Sequence, residues 1–309
     1  DITIGQYITF EGLVMAMVWP MFDFGVFVSR YKETDVATER LDALLNHAVD
    51  NDRGGLTRGD ALDHIDLKGG ELRDGDEVLM QGLDLSVGNG ELVAVVGAVG
   101  SGKSLVMKTL AGLRPLSAGD LRIGGADWAT VNRQQRRHAI GFVPQDPVII
   151  STTLEENIRL GRDMDDDTIK MAMEVSQLHR DMEAFPDGLQ TALGERGMTL
   201  SGGQQQRLAL ARALAGRPSI LLMDDATAAL DADTETAFWE ALESVLPHVA
   251  AVVVTHRSAT IQRADRIIVL DDRKIAQIGT HDVLIEQPGP YRRIYGILEA
   301  SRESWAGQI

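Results

Sequence analysis

The strongest constraint in this chain is eight residues long. A valine-rich apolar run, ELVAVV at positions 91–96, leads into GAVGSGKS, Gly97 to Ser104, and a helical pattern follows. Short apolar runs bounded in this way read as buried strands. A glycine-rich turn between such a strand and a helix start gathers successive backbone N–H groups around one point. The helix adds its partial positive charge there, so the site suits an anion. The pattern G-x-x-x-x-G-K-[ST] is complete in that context: Gly97, Val99, Gly100, Ser101 and Gly102 shape the cradle, Lys103 reaches the outer phosphates of a nucleotide, and the Ser104 hydroxyl is placed for Mg2+. A plain glycine turn with a solvent-facing lysine would need neither the strand nor the helix.

From residue 63 onward short apolar runs alternate with helical stretches. Residues 219–223 (SILLM), 250–254 (AAVVV) and 266–270 (RIIVL) join 91–96 as buried strands, and helices are expected near 104–111, 203–214 and 234–245. This order implies an α/β domain around a mostly parallel sheet, with residues 72–85 as an added antiparallel piece. The SILLM run ends in Asp224 and Asp225. Two carboxylates emerging from a buried strand at the sheet's carboxyl edge can hold Mg2+ with the first and face an attacking water with the second. A lone solvated acidic turn would look the same without the phosphate loop on that sheet.

Composition narrows the classes further. Thirty basic against 46 acidic side chains leave a net charge of −16, which argues against a nucleic acid as partner. Cysteine is absent, which excludes disulfides, thiolate metal sites and cysteine nucleophiles. Residues 8–28 are apolar and about as long as a bilayer needs, roughly 20 residues. Glu11 and Asp23 interrupt them, and Pro20 would kink a helix. Arg30 and Lys32 follow, which would set that end in the cytoplasm. On pattern alone a membrane span and the buried helix of a soluble domain both fit. Residues 33–49 read as a polar amphipathic helix striped by Val36, Leu41, Leu44 and Leu45, and NDRGGLTRGD at 51–60 marks a domain boundary. The chain opens on Asp without a signal-like start and reads as a piece of a longer protein.

At 200–204 the sequence reads LSGGQ, followed by QQRLALARAL. With the phosphate loop and the paired aspartates, this resembles the nucleotide-binding domain of ATP-binding cassette (ABC) transporters, over about residues 63–300. The resemblance implies a P-loop NTPase of the α/β class with antiparallel β and helical subdomains, preceded by one transmembrane helix, binding ATP and Mg2+. By the same resemblance Gln145 in GFVPQDP contacts Mg2+ and the lytic water, Asp224 and Ser104 hold the metal, and His256 contacts the γ-phosphate. Ser201, Gly202, Gly203 and Gln204 would act on ATP held by an opposite subunit, Asp231 in AALD belongs to the D-loop, and GERG at 194–197 looks like the exporter X-loop. The amino-terminal part is similar to the last transmembrane helix of an exporter-type half-transporter (1–30) with its cytoplasmic extension and linker (31–62). The domain (63–300) and a tail (301–309) follow. Implied partners are further membrane helices of the same protein, lipid and a second half-transporter, with the nucleotide-binding domain in the cytoplasm of a cell-membrane protein.

Two positions depart from the family pattern. The residue after the Walker B aspartate is usually Glu; here it is Asp225, whose carboxylate is withdrawn by about 1.5 Å, one C–C bond. A misplacement of about 1 Å costs on the order of 100-fold in rate. Such an Asp looks like the degenerate-site subunit of heterodimeric exporters, which binds ATP and hydrolyses it slowly; a homodimer whose packing suits Asp225 is the alternative. The family also stacks adenine on an aromatic residue where Leu72 stands, 25 positions before Gly97, and no Phe, Tyr or Trp lies between Tyr31 and Trp128. Two rivals to a transport motor are a regulatory subunit that clamps ATP, and a soluble ABC ATPase of DNA repair or translation. The apolar amino terminus and the acidic balance oppose the second.

Overall fold

A computed structural model describes residues 2–46, 61–194 and 200–306. It divides into two units, residues 1–52 and 53–309.

Among the described residues the first unit is a single helix, α1 (Ile4–Leu45), of 42 residues, roughly 63 Å at about 1.5 Å per residue. Thr3 opens it with a capping box, accepting from the Gln6 N–H while the Gln6 side chain takes the Thr3 N–H. Pro20 lies inside the helix and does not end it: one rung of the ladder is lost and the rest hold. The amphipathic stretch expected separately after residue 33 is therefore the same helix as far as Leu45. By length and composition α1 is able to cross a membrane. Its apolar side chains are exposed, with Trp19 at 75% and Phe22 at 71%.

The second unit opens with a hairpin, β1 (Ile65–Asp74) and β2 (Glu77–Val87), then β3 (Leu92–Gly97) and α2 (Lys103–Leu110). After β4 (Ala118–Ile123) and β5 (Ala126–Asp127) come α3 (Arg133–Ala139) and β6 (Ile140–Val143). A helical stretch follows: α4 (Leu154–Arg159), α5 (Asp166–Val175) and α6 (Gly202–Leu214). The chain then alternates through β7 (Ile220–Asp224), α7 (Ala232–Val245), β8 (Ala250–Val254), α8 (Ser258–Arg263) and β9 (Arg266–Asp271). It closes with β10 (Lys274–Gly279), α9 (His281–Glu286) and α10 (Pro290–Ala306), so the boundary drawn at residue 300 falls inside a helix. The linker at 51–60 lies outside the described residues.

The main sheet has the order β10-β9-β3-β8-β7-β6, parallel except for β10. The second sheet, β2-β1-β4-β5, is antiparallel and larger than the piece expected from 72–85. Burial follows the pleat. Leu92, Ala94 and Val96 of β3 join a core with Leu208 and Phe238, while Val93 and Val95 join another with Met107, Leu110 and Ile123. A parallel sheet covered on both faces reads as continuous apolar runs, which is why these strands were legible as such. Val254 is the register partner of both Val95 on β3 and Asp224 on β7. One ladder row therefore sets the heights of the three strand ends that carry the site.

Arg212 joins the segment after Gln145 to α6. Its guanidinium donates to the Asn157 carbonyl (2.9 Å), the Asn157 Oδ1 (2.8 Å) and the Val148 carbonyl (2.7 Å). Burial pushes its pKa below the ordinary arginine value, with nearby Arg162 acting the same way. Removing the side chain strands those acceptors, at about 1–3 kcal/mol. Arg212→Ala is expected to lower the thermal midpoint by about 2–4 °C per kcal/mol lost, and Arg212→Lys to recover part of it.

Candidate nucleotide site

The phosphate loop leaves β3 at the centre of the main sheet, the crevice position that open parallel sheets use for ligands. Its glycines answer to space at Gly97 and to backbone conformation at Gly100 and Gly102, both at positive φ. A Cβ on Gly97 would lie 2.6 Å from the Leu270 carbonyl oxygen, and Gly102, at φ +97°, backs onto the Met80 side chain. No side chain caps α2; the Leu105 N–H bonds back to the Gly102 carbonyl at 3.0 Å, and the amides of Lys103 and Ser104 before it are open to a ligand. Lys103 is buried, its Nζ donating to the carbonyls of Gly97 (2.8 Å) and Ala98 (2.9 Å). Burial lowers its pKa from the ordinary lysine value, opposed by Asp225 and Asp224.

Four residues from distant parts of the chain meet this loop. Gln145 after β6, Asp224 at the end of β7, Asp225 beside it and His256 after β8 line one cleft of about 310 Å3 with Val99, Gly100, Gly102, Lys103 and Ser104. Gly97 and Ser101 stand behind that lining. Asp225 has φ +52° and its N–H donates to the Val254 carbonyl at 3.0 Å. Aspartate tolerates this left-handed conformation better than most residues, so the turn is compatible with its position. Asp224 is nearly buried, and its Oδ1 has no hydrogen-bond partner. Burial raises its pKa, with the Ser104 hydroxyl acting in the opposite direction. A hydroxyl and a carboxylate oxygen side by side, one of them unpartnered, make a hard-oxygen set that fits Mg2+, which takes few protein ligands and completes its shell from phosphates and water.

The remaining expected residues lie elsewhere. Ser201 and Gln204 form a reciprocal capping box at the start of α6, with Ser201 N–H to Gln204 Oε1 at 2.9 Å and Gln204 N–H to Ser201 Oγ at 3.3 Å. Ser201 and Gly202 are exposed, Gly203 is half-buried, and none of these residues lines the cleft. Asp231 caps α7, accepting from the Thr234 N–H and hydroxyl, both at 2.8 Å, and these bonds hold its carboxyl below the usual carboxylate range. GERG lies, beyond Gly194, outside the described residues. Leu72 is a correction: it is wholly buried in the core, as the register partner of Met80, and its side chain cannot face a base. Its exposed neighbours at that strand end, Arg73 and Asp74, are not aromatic. Sequence reading also passed over Arg257, Glu235 and Gln206: the Arg257–Glu235 pair spans 22 residues and the Gln206–Ala229 bond 23, and neither leaves a local signal.

Asp224 carries a stability consequence with a definite sign. A carboxyl whose pKa rises on folding binds its proton more tightly in the native state, so stability falls as pH climbs from the ordinary carboxylate range through the raised value. Asp224→Asn removes that cost. The nucleotide-free variant is expected to melt higher than the parent at neutral pH, by about 2–4 °C for each kcal/mol relieved, and to lose the added stabilisation by Mg2+ with nucleotide. Differential scanning calorimetry across pH 4–8 (a range on the order of that over which carboxylates govern stability) checks both.

The chain resembles known proteins along nearly its whole length. Residues 80–228 match the family model described as ABC transporter. A probable multidrug resistance ABC transporter ATP-binding/permease protein, YheI of Bacillus subtilis, is 32% identical over 310 residues, covering 96% of this chain and 51% of that protein. Human ATP-binding cassette sub-family B member 6 is 32% identical over 306 residues, covering 97% of this chain and 36% of that protein. A bacterial Atm1-family ABC exporter with ATP bound superposes with a TM-score of 0.78 at 29% identity, over 95% of this chain and 52% of that one. The chain thus spans about half the length, or less, of these relatives. It belongs to the ABC transporter family and carries that family's ATP-binding domain.

Proposed function

We propose that this chain is the ATP-hydrolysing motor portion of an exporter-type ABC transporter, with α1 as one of its membrane spans and the second unit in the cytoplasm. One observation carries the reading. Gln145, Asp224, Asp225 and His256 share a cleft with the phosphate loop, while the α6 start, with an exposed Ser201, faces none of them. A helix start of this kind suits an anion, and an anion that its own chain does not bring to it is supplied by a second copy or a related subunit. Two domains then pair head to tail, each loop facing the other's residues 201–204.

Within one such site the loop amides and Lys103 bind the phosphates and orient them. Ser104 and Asp224, with Gln145, would hold Mg2+, which would supply neutralisation of charge on the phosphate oxygens. Asp225 accepts the proton of the attacking water, and His256 donates toward the terminal phosphate. Because only a difference in affinity shifts a conformational equilibrium, the nucleotide must favour the closed pair over the open one. Closure is then available to drive the membrane helices between alternate states.

Asp225 favours a second reading, in which this subunit clamps ATP and completes the competent site of a Glu-bearing partner; we take a heterodimer as the working assembly. Mg-ATP turnover of the protein alone in lipid is expected to be well under about 1 per second, to vanish in Lys103→Ala, and to rise at least about tenfold in Asp225→Glu as the carboxylate regains its reach. Turnover near about 1 per second in the parent, abolished by Asp225→Asn, would establish a competent homodimer instead.

The strand end beside Leu72 bears on base selectivity. Aromatic stacking on a base is worth about 1–3 kcal/mol, and no aromatic side chain stands at 72–74. ATP and GTP are expected to bind with affinities within about fivefold of each other. A preference for ATP above about 100-fold in direct titration would show that the base is held by other groups.

A further inference from the structure

A second polar cluster adjoins the cleft without lining it. Glu235 on α7 is 4% exposed, and both of its oxygens are engaged. Oε1 accepts from the hydroxyls of Thr227 (2.8 Å) and Thr260 (2.6 Å), and Oε2 accepts from Arg257 Nη1 (2.8 Å). The other terminal nitrogen of that guanidinium, Nη2, donates to the carbonyl oxygens of Ala228 (3.0 Å) and Leu230. Between those two residues the Ala229 N–H donates to Gln206 Oε1 on α6 at 2.7 Å. The loop also closes on itself through Ala228 N–H to the Asp225 carbonyl (3.2 Å) and Leu230 N–H to the Thr227 carbonyl (3.0 Å).

Arg257 immediately follows His256, and the loop it grips starts at Asp225 and ends at Asp231. A buried ion pair is weak evidence for stability, since well-packed apolar residues often hold a fold as firmly. What apolar residues cannot do is hold a carboxylate and two carbonyl oxygens with one planar fork. We propose that Arg257 is a positioning residue: seated on Glu235, it locks the 225–231 loop to the His256 end of β8, so that Asp225, Asp231 and His256 keep one fixed arrangement. Gln206 ties the same loop to the helix that begins with residues 201–204. The assignment rests on the ATPase reading above. It predicts an effect on turnover without an effect on nucleotide affinity, because the phosphate loop lies on a different strand connection.

The test uses the protein in lipid, with Arg257→Ala, Arg257→Lys and Glu235→Gln. Three quantities are read: kcat for Mg-ATP, affinity for a fluorescent ATP analogue, and amide hydrogen exchange. Arg257→Ala is expected to lower kcat on the order of 100-fold while affinity stays within about twofold. Exchange should quicken over residues 226–231 and stay unchanged over 97–104. Arg257→Lys should recover only part of kcat, because one ammonium cannot replace the fork. Glu235→Gln keeps the side-chain shape and carries the same expectations at smaller amplitude, which covers a failure of Arg257→Ala to fold. Equal losses of kcat and affinity, full rescue by lysine, or unchanged exchange over 226–231 would each overturn the assignment. A parent without turnover would defeat the ATPase reading instead, and the exchange comparison would still decide whether Arg257 holds the loop.

Discussion

One row of backbone pairing underlies the site. Val95, Val254 and Asp224 share a register position on three neighbouring parallel strands. Two residues beyond Val95 the phosphate loop begins, two beyond Val254 stands His256, and the next residue after Asp224 is Asp225. In a parallel sheet the register is set by which apolar side chains face which core, because a slip of one residue would turn every side chain to the wrong face. The relative heights of a lysine, two aspartates and a histidine are thus decided by buried valines and leucines, of which Val254 also lines the cleft.

Around that row the polar groups divide into those with partners inside the chain and those without. Lys103, Asp231 and Glu235 are engaged by neighbours. Asp224 Oδ1 is buried and has none, and the first amides of α2 have no side-chain cap. Unsatisfied buried groups are uncommon and call for a reason. In the function proposed above the reason is shared, since an anion on the amides and a cation on the carboxylate would satisfy both sets together. Ser201 and Gln204 differ: they answer each other across a helix start and leave its face open.

Much of this was legible in the residues. The strands could be read because burial on both faces makes them continuously apolar, and the phosphate loop because its spacing has a single mechanical meaning. Three features could not. β1 is broken by register shifts around Gly69 and Gly70, so its alternation gave no warning that Leu72 points into the core. The apolar run and the polar stretch after residue 33 read as two elements, yet one helix runs through both as far as Leu45. Arg257 reads as an ordinary basic residue after a strand, because its partners Glu235, Ala228 and Leu230 come to it only through tertiary folding.

The central strand has a further consequence. Every residue of β3 is buried, as is every residue of its neighbour β8 and of β7 on the far side of β8. Segments of that kind open only when the whole domain opens, whereas exposed ends and loops loosen on their own. The strands that set the heights of the site therefore share the fate of the core, while the loops that carry Asp225 and His256 are able to loosen ahead of it.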